Sequence, residues 1–314
     1  MGLRVAVALG AGGARGYAHI GVLDVIAERG HEVVTIAGTS MGALVGGMAA
    51  AGKLPAYTDW ARSLTQTQVL RLLDPTISGA GAIRGERVIS KVREILDGAR
   101  IEECAIPFTA VATDLNNRRE VWFQHGPVVT AIRASIAIPS VITPVVVGGR
   151  LLVDGGLMNP VPITPTAATL SDLVVAVSLQ GRERHGPVAD TPHEPATPVR
   201  TPHEATTGTW RSLASRLSTL RDELLPDEEE PERLQDDPWR YHQAPKDVTT
   251  ADVFNRSFDT MAALITRYRL ASSPPDVLVH IPVDSCRTME FHRAAEMIAL
   301  GRDLARKAFD AAGY

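Results

Sequence analysis

The chain has 314 residues, 45% of them apolar and 22% charged, enough to bury a sizeable core in one large domain or two small ones. Its net charge of −4 leaves no basic surplus to neutralise phosphates, which argues against nucleic acid as a partner. Aromatic residues make up only 5%, while Gly and Ala are plentiful, which suits tightly packed α/β layers better than a β-sandwich.

Arg4–Leu9 is the first predicted strand. The N-terminus lacks the basic region, longer apolar run and small-residue cleavage site of a signal peptide. Directly behind the strand lies Gly10-Ala11-Gly12-Gly13-Ala14-Arg15-Gly16, and then a helical pattern over Ala18–Arg29. Glycines between a strand and a helix let the backbone approach a ligand and turn N–H groups toward it, beside the positive end of the helix. Alone this is a weak signal, because nucleotide-binding loops look alike. Arg15 is a candidate for orienting a phosphate or steadying the loop, with a structural salt bridge as the plainer role.

A second strand over Val33–Ala37 leads into Gly38-Thr39-Ser40-Met41-Gly42 and a helix over Met41–Ala51. This is G-x-S-x-G in strand–turn–helix context, the nucleophile-elbow pattern. Its glycines (Gly38 and Gly42) permit the sharp turn that lifts a serine hydroxyl to the carboxyl edge of a sheet. The apolar run from Met41 to Gly52 is too short to cross a bilayer, which takes about 20 residues, so no transmembrane segment is expected. Helices are predicted next over Pro55–Leu73 and Glu86–Leu96, a strand over Phe108–Thr113, and a helix over Val128–Ile136.

Val145–Val147 and Leu151–Val153 read as strands, and the second runs into Asp154-Gly155-Gly156. An aspartate at a strand end with two glycines behind it can face a crevice without crowding. A further strand is predicted over Val174–Leu179. Strands alternating with helices imply crossover connections and a mostly parallel central sheet covered on both faces.

The stretch 181–250 differs. It holds nine of the chain's 21 prolines and an acidic run at Asp227–Glu230, and it reads as a largely irregular Pro/acid-rich insertion within one domain formed by 1–180 and 251–314. Within it, Trp210, Leu213, Leu217, Leu220 and Leu224 form an apolar stripe on a helix predicted near 209–225, with Arg211, Arg216 and Arg221 beside it. That helix packs on the core, meets anionic lipid, or makes a dimer contact. Regular structure resumes with an amphipathic helix from Ala251, a strand over Val277–Ile281 and a closing helix from Glu290 to Ala311. Cys104 and Cys286 have no metal-ligand spacing and read as buried thiols of a reducing, cytoplasmic protein.

Taken together, Ser40 as nucleophile, Asp154 as base and the Gly12 and Gly13 amides as oxyanion donors make an acyl-transfer engine. A histidine triad fits poorly. The elbow follows only one earlier strand, and none of the nine histidines sits in a supporting motif. Two other classes fit the residues less well. A dinucleotide oxidoreductase would want an acidic residue at the end of the second strand, where Gly38-Thr39-Ser40 stands instead. An adaptor acting through the insertion would not need Ser40 and Asp154 together.

The arginine-containing glycine loop, Gly38-Thr39-Ser40-Met41-Gly42 and Asp154-Gly155-Gly156, in that order, resemble the patatin-like phospholipases, more closely their compact bacterial RssA-like branch. The likeness extends to Ala112–Leu115, Ala131–Ser135 with Ile138-Pro139, Asn159–Pro162 and Phe291–Ala294. The resemblance implies a three-layer α/β/α fold and a Ser40–Asp154 dyad without histidine. It also implies lipid acyl hydrolase or esterase activity, no cofactor and no metal. A lipid or acyl-ester substrate and peripheral contact with the inner membrane surface are the expected partners. One departure is Ala11, where the family loop often carries glycine.

Overall fold

The computed structural model describes residues 2–74, 81–181 and 250–314. The described residues belong to one compact unit. The amphipathic helix predicted near 209–225 and the acidic run lie outside the described residues.

Ten strands are described: β1 (Arg4–Leu9), β2 (Glu32–Thr39), β3 (Gly81–Ile83), β4 (Phe108–Asp114), β5 (Arg119–Phe123), β6 (Ser140–Ile142), β7 (Val145–Val147), β8 (Arg150–Asp154), β9 (Leu173–Gly181) and β10 (Val277–Pro282). Eight of them form one sheet in the order β10-β9-β1-β2-β4-β8-β7, with β5 also paired to β4. From β10 to β4 every pairing is parallel; β5 and β8 join β4, and β7 joins β8, antiparallel. Short β3 and β6 pair separately.

Alternation along the strands separates two buried faces. Val5, Val7 and Leu9 of β1, with Val175, Val177 and Leu179 of β9, face the main core. Ala8 and Ala176 face the other side with Val161, Ile163 and Leu270. The helices are α1 (Ala18–Glu28), α2 (Met41–Ala50), α3 (Leu54–Ser63), α4 (Gln66–Leu72), α5 (Glu86–Leu96), α6 (Val128–Ser135), α7 (Thr250–Ser272) and α8 (Ala294–Ala312). Helices α1, α2 and α8 cover the main-core face, and α7 contributes Leu270 to the opposite one. This is the α/β/α sandwich of the expectation, with a mostly parallel sheet.

Two expectations need correction. The helix predicted over Pro55–Leu73 is two helices, because Thr65 starts a new one. Its Oγ1 accepts from the Gln68 N–H at 3.3 Å and its own N–H donates to Gln68 Oε1 at 2.8 Å, a capping box that ends the first helix at Leu64. The strand β5 was not predicted. Its residues Arg119 and Glu120 continue a polar turn, so the short run Arg-Glu-Val-Trp-Phe lacks a clean apolar alternation.

Candidate active site

Two strands share one edge of β4. Strand β2 runs parallel along it, pairing Ile36–Thr39 with Phe108–Val111. Strand β8 runs the other way and pairs Leu152–Asp154 with Asp114–Ala112. Their carboxyl ends therefore meet head-on between Val111 and Ala112, and the residues that emerge there are Ser40 and Asp154. Ser40 Oγ donates to Asp154 Oδ2 at 2.5 Å, and both residues are buried.

Ser40 is held in a conformation that few non-glycine residues adopt, φ 56° and ψ −122°. The surroundings enforce it. The Ser40 N–H donates to Ser135 Oγ at 2.8 Å, and that hydroxyl donates onward to the Val111 carbonyl at 2.6 Å. Gly42 lets α2 start close to the end of β1: a Cβ there would lie 2.0 Å from the Leu9 carbonyl oxygen. Gly38 and Gly16 allow similar approaches, to Gly42 and to Met41.

Both oxygens of Asp154 are engaged. Oδ1 accepts from the Gly156 N–H at 2.7 Å, while Oδ2 accepts from Ser40. Its backbone N–H donates to the Ala137 carbonyl at 2.9 Å, and its own carbonyl accepts from Thr113 Oγ1 at 3.1 Å. Gly155 packs against the Val111 carbonyl. Burial pushes the Asp154 carboxyl up from the ordinary 3.8 to about 6, against the opposing pull of the Ser40 hydroxyl and the Gly156 N–H.

The glycine loop is fixed from both sides. Gly10 N–H donates to the Val177 carbonyl at 3.0 Å, and Ala11 N–H to the Pro160 carbonyl at 2.8 Å. Among the described residues, the Gly12 and Gly13 amides donate to no main-chain carbonyl, at the start of a short 3₁₀ turn over Gly13–Tyr17. Ala11 is accommodated because its methyl faces Gly156, which has no side chain. Arg15 is buried, and its Nε and Nη1 donate to the carbonyls of Gly12 (3.2 Å) and Val283 (2.7 Å). Arg15 thus braces the loop through carbonyls rather than through a salt bridge.

His19 is buried beneath this loop, with Nε2 against the Gly10 carbonyl at 2.8 Å. A carbonyl only accepts, so Nε2 carries the proton, and burial lowers the ring to about 4. The direct Ser40–Asp154 bond leaves no place for an imidazole between them.

Two cavities meet at Ser40. One is apolar, walled by Met41, Leu44, Tyr57, Trp60, Val88 and Ile142. The other is more polar, walled by Gly12, Arg15, Asp154, Gly156, Gln180 and Asp259. Ser40 and Gly13 belong to both walls.

A family model described as patatin-like phospholipase matches residues 7–167. An uncharacterized NTE family protein of Mycobacterium tuberculosis is 45% identical over 333 residues, covering 98% of this chain and 92% of that protein. The chain belongs to the patatin-like phospholipase family. The patatin-like phospholipase domain-containing protein 7 of Mus musculus is 30% identical over 189 residues, 58% of this chain and 14% of its own length. Among solved structures, VipD from Legionella pneumophila aligns over 98% of this chain and 66% of its own with a TM-score of 0.42 at 12% identity.

In this patatin-like chain every residue singled out from the three motifs lies at or beside the Ser40–Asp154 junction. Sequence reasoning missed Ser135, whose hydroxyl holds the elbow, and Asp259 on α7. Ser135 closes a run, Ala131–Ser135, that carried only a likeness; its role depends on β4 bringing Val111 within reach. Arg269 was missed as well. It pairs with Glu120 and donates to the Met158 carbonyl at 3.1 Å, tying α7 to β5 and to the segment behind Asp154.

Proposed function

We propose that this chain is a serine lipid acyl hydrolase working through a Ser40–Asp154 dyad. The observation that carries the reading is the buried 2.5 Å hydrogen bond from Ser40 Oγ to Asp154, at the meeting point of an apolar and a polar cavity. An acyl chain lies in the apolar cavity and the leaving alcohol in the polar one.

Ser40 Oγ attacks the ester carbonyl carbon as its proton passes to Asp154 Oδ2. The negative charge that develops on the carbonyl oxygen is taken up by the Gly12 and Gly13 amides, whose bonding capacity is unspent in the main chain. Asp154 then gives the proton to the departing alkoxide, leaving an acyl ester on Ser40. Water loses a proton to Asp154, attacks that ester, and the proton returns to Ser40 Oγ as the fatty acid leaves. A carboxylate near its usual 3.8 is a weak base toward a hydroxyl, so the rise to about 6 brings the base closer to working pH. The elbow strain is part of the same device, holding Oγ toward the carboxylate before substrate arrives.

Contact with a lipid surface belongs to this reading. No helix among the described residues is long and apolar enough to cross a membrane. Helix α7 does expose Val253, Met261, Leu264 and Tyr268, with Arg256 and Arg267 beside them and no acidic residue among its described exposed side chains. An apolar strip edged with arginine suits an anionic bilayer face.

The test is turnover of a p-nitrophenyl ester series and a phospholipid panel by the wild type and Ser40→Ala. The variant is expected to lose at least about a thousandfold in kcat with its fold intact. Undiminished turnover by a pure, folded Ser40→Ala protein removes Ser40 as nucleophile.

A further inference from the structure

Besides Asp154, the polar cavity beside Ser40 is lined by two opposite charges, Arg15 and Asp259. Asp259 lies on α7, beyond the matched residues 7–167, and faces the same cavity as Arg15, Ser40 and Asp154. Resting on the acyl-hydrolase reading, we propose that this cavity is a head-group subsite in which Asp259 receives the primary ammonium of a zwitterionic phospholipid while Arg15 faces its phosphoryl group.

The argument begins with what Asp259 lacks. It is half-buried, yet among the described residues no hydrogen-bond donor or ion-pair partner reaches its carboxylate. A carboxylate partly withdrawn from water with no protein donor beside it gains from a donor that a ligand brings. Burial accordingly raises its carboxyl, and only the more distant field of Arg15 opposes that rise. A ligand carrying N–H donors and a positive charge supplies both missing elements. A quaternary ammonium would supply charge without a donor, so the primary amine fits better.

Arg15 adds the complementary half. It is 4% exposed, two of its donor atoms are committed to main-chain carbonyls, and no described carboxylate stands within ion-pair distance. Its charge is therefore fixed in position, with the field of Asp259 acting on it from beyond ion-pair distance. A head group with phosphate near the ester and an amine beyond it matches a cavity with Arg15 on the nucleophile's glycine loop and Asp259 on the covering helix. A head with no cation beyond its phosphate, as in phosphatidylglycerol, would leave Asp259 without its counter-charge, and one with a second negative charge there would oppose it. Like-charge juxtaposition is how such sites reject the wrong partner.

The experiment measures kcat/KM in neutral detergent micelles for phosphatidylethanolamine and phosphatidylglycerol of matched acyl chains. Wild type, Asp259→Asn and Asp259→Lys are compared, with circular dichroism melting as the control for folding and the ratio between the two lipids as the readout. Wild type should prefer phosphatidylethanolamine. Asp259→Asn should lower kcat/KM for that lipid about tenfold relative to phosphatidylglycerol, mainly through KM. Asp259→Lys should reverse the order in favour of phosphatidylglycerol. A wild-type preference for phosphatidylglycerol, or a lipid ratio unmoved by either substitution, overturns the proposal. The two readings fail differently: loss of the head-group subsite leaves ester turnover dependent on Ser40, whereas loss of the hydrolase reading shows as ester turnover indifferent to Ser40→Ala.

Discussion

Asp154 carries the cost of the site at the residue scale. Its carboxyl stands at about 6 in the fold against 3.8 in the open chain, so the folded state holds a proton that the unfolded state gives up. Below about pH 4 both states are protonated and nothing is lost. As pH rises through the window between those values, stability falls, and above about 6 the full penalty is present, about 3 kcal/mol. A domain's whole stability is about 5–15 kcal/mol, so this is a large local sacrifice. Asp154→Asn removes the charge while keeping an acceptor for the Gly156 N–H. At pH 8 the variant is expected to melt several degrees above wild type and to have lost ester turnover; a lower melting temperature would contradict the assigned burial cost. Ser135 belongs to the same scale. Ser135→Ala leaves the Ser40 N–H and the Val111 carbonyl without their buried partner, which should cost about 1–3 kcal/mol in denaturant unfolding and lower kcat more than it changes KM. Unchanged kcat in that variant would show that the elbow does not need this brace.

The elements explain why those residues meet. Ser40 ends a strand parallel to β4 and Asp154 ends one antiparallel to it, and both use the same edge. Such a head-on meeting needs the elbow to turn away sharply, and Gly42 permits the turn by letting α2 lie against the Leu9 carbonyl. Gly42→Ala is therefore expected to push α2 off β1, destabilise the fold by about 1–3 kcal/mol and reduce kcat at least tenfold through displacement of Ser40. Circular dichroism melting and ester kinetics on the same preparation check both halves. A variant with wild-type stability and turnover would mean that the backbone yields there at no cost. The bond from Ser40 to Asp154 was legible because each lay in a local pattern: a strand, a glycine turn, a reactive side chain. The antiparallel arrival of β8 was not, since strand direction is set by pairing partners far away in the chain. Ser135, Arg269 and Asp259 were hidden for the same reason, each acting only through a neighbour that tertiary structure brings near.

On the scale of the whole molecule, residues within and beyond the span of the family model converge on one site. The segment matched by the family model holds the glycine loop, Ser40 and Asp154. Helix α7 lies beyond it, yet reaches the site through Phe258, Asp259 and Ala262 and is anchored by the Arg269–Glu120 pair. The three-layer arrangement was readable from strands alternating with helices, because a parallel sheet must be covered on both faces. The meeting of the two cavities at Ser40 was not, since walls contributed by α2, α3, α5 and α7 converge only after folding.

The most direct measurement of the central claim is the rate of fluorophosphonate labelling across the range from about pH 4 to about pH 9, followed by intact mass and peptide mapping. The account predicts one adduct, on Ser40, formed at a rate that climbs through about pH 6 as Asp154 ionises and then stays level, with labelling nearly abolished in Asp154→Asn. An adduct on another residue, or wild-type labelling by Asp154→Asn, would contradict it.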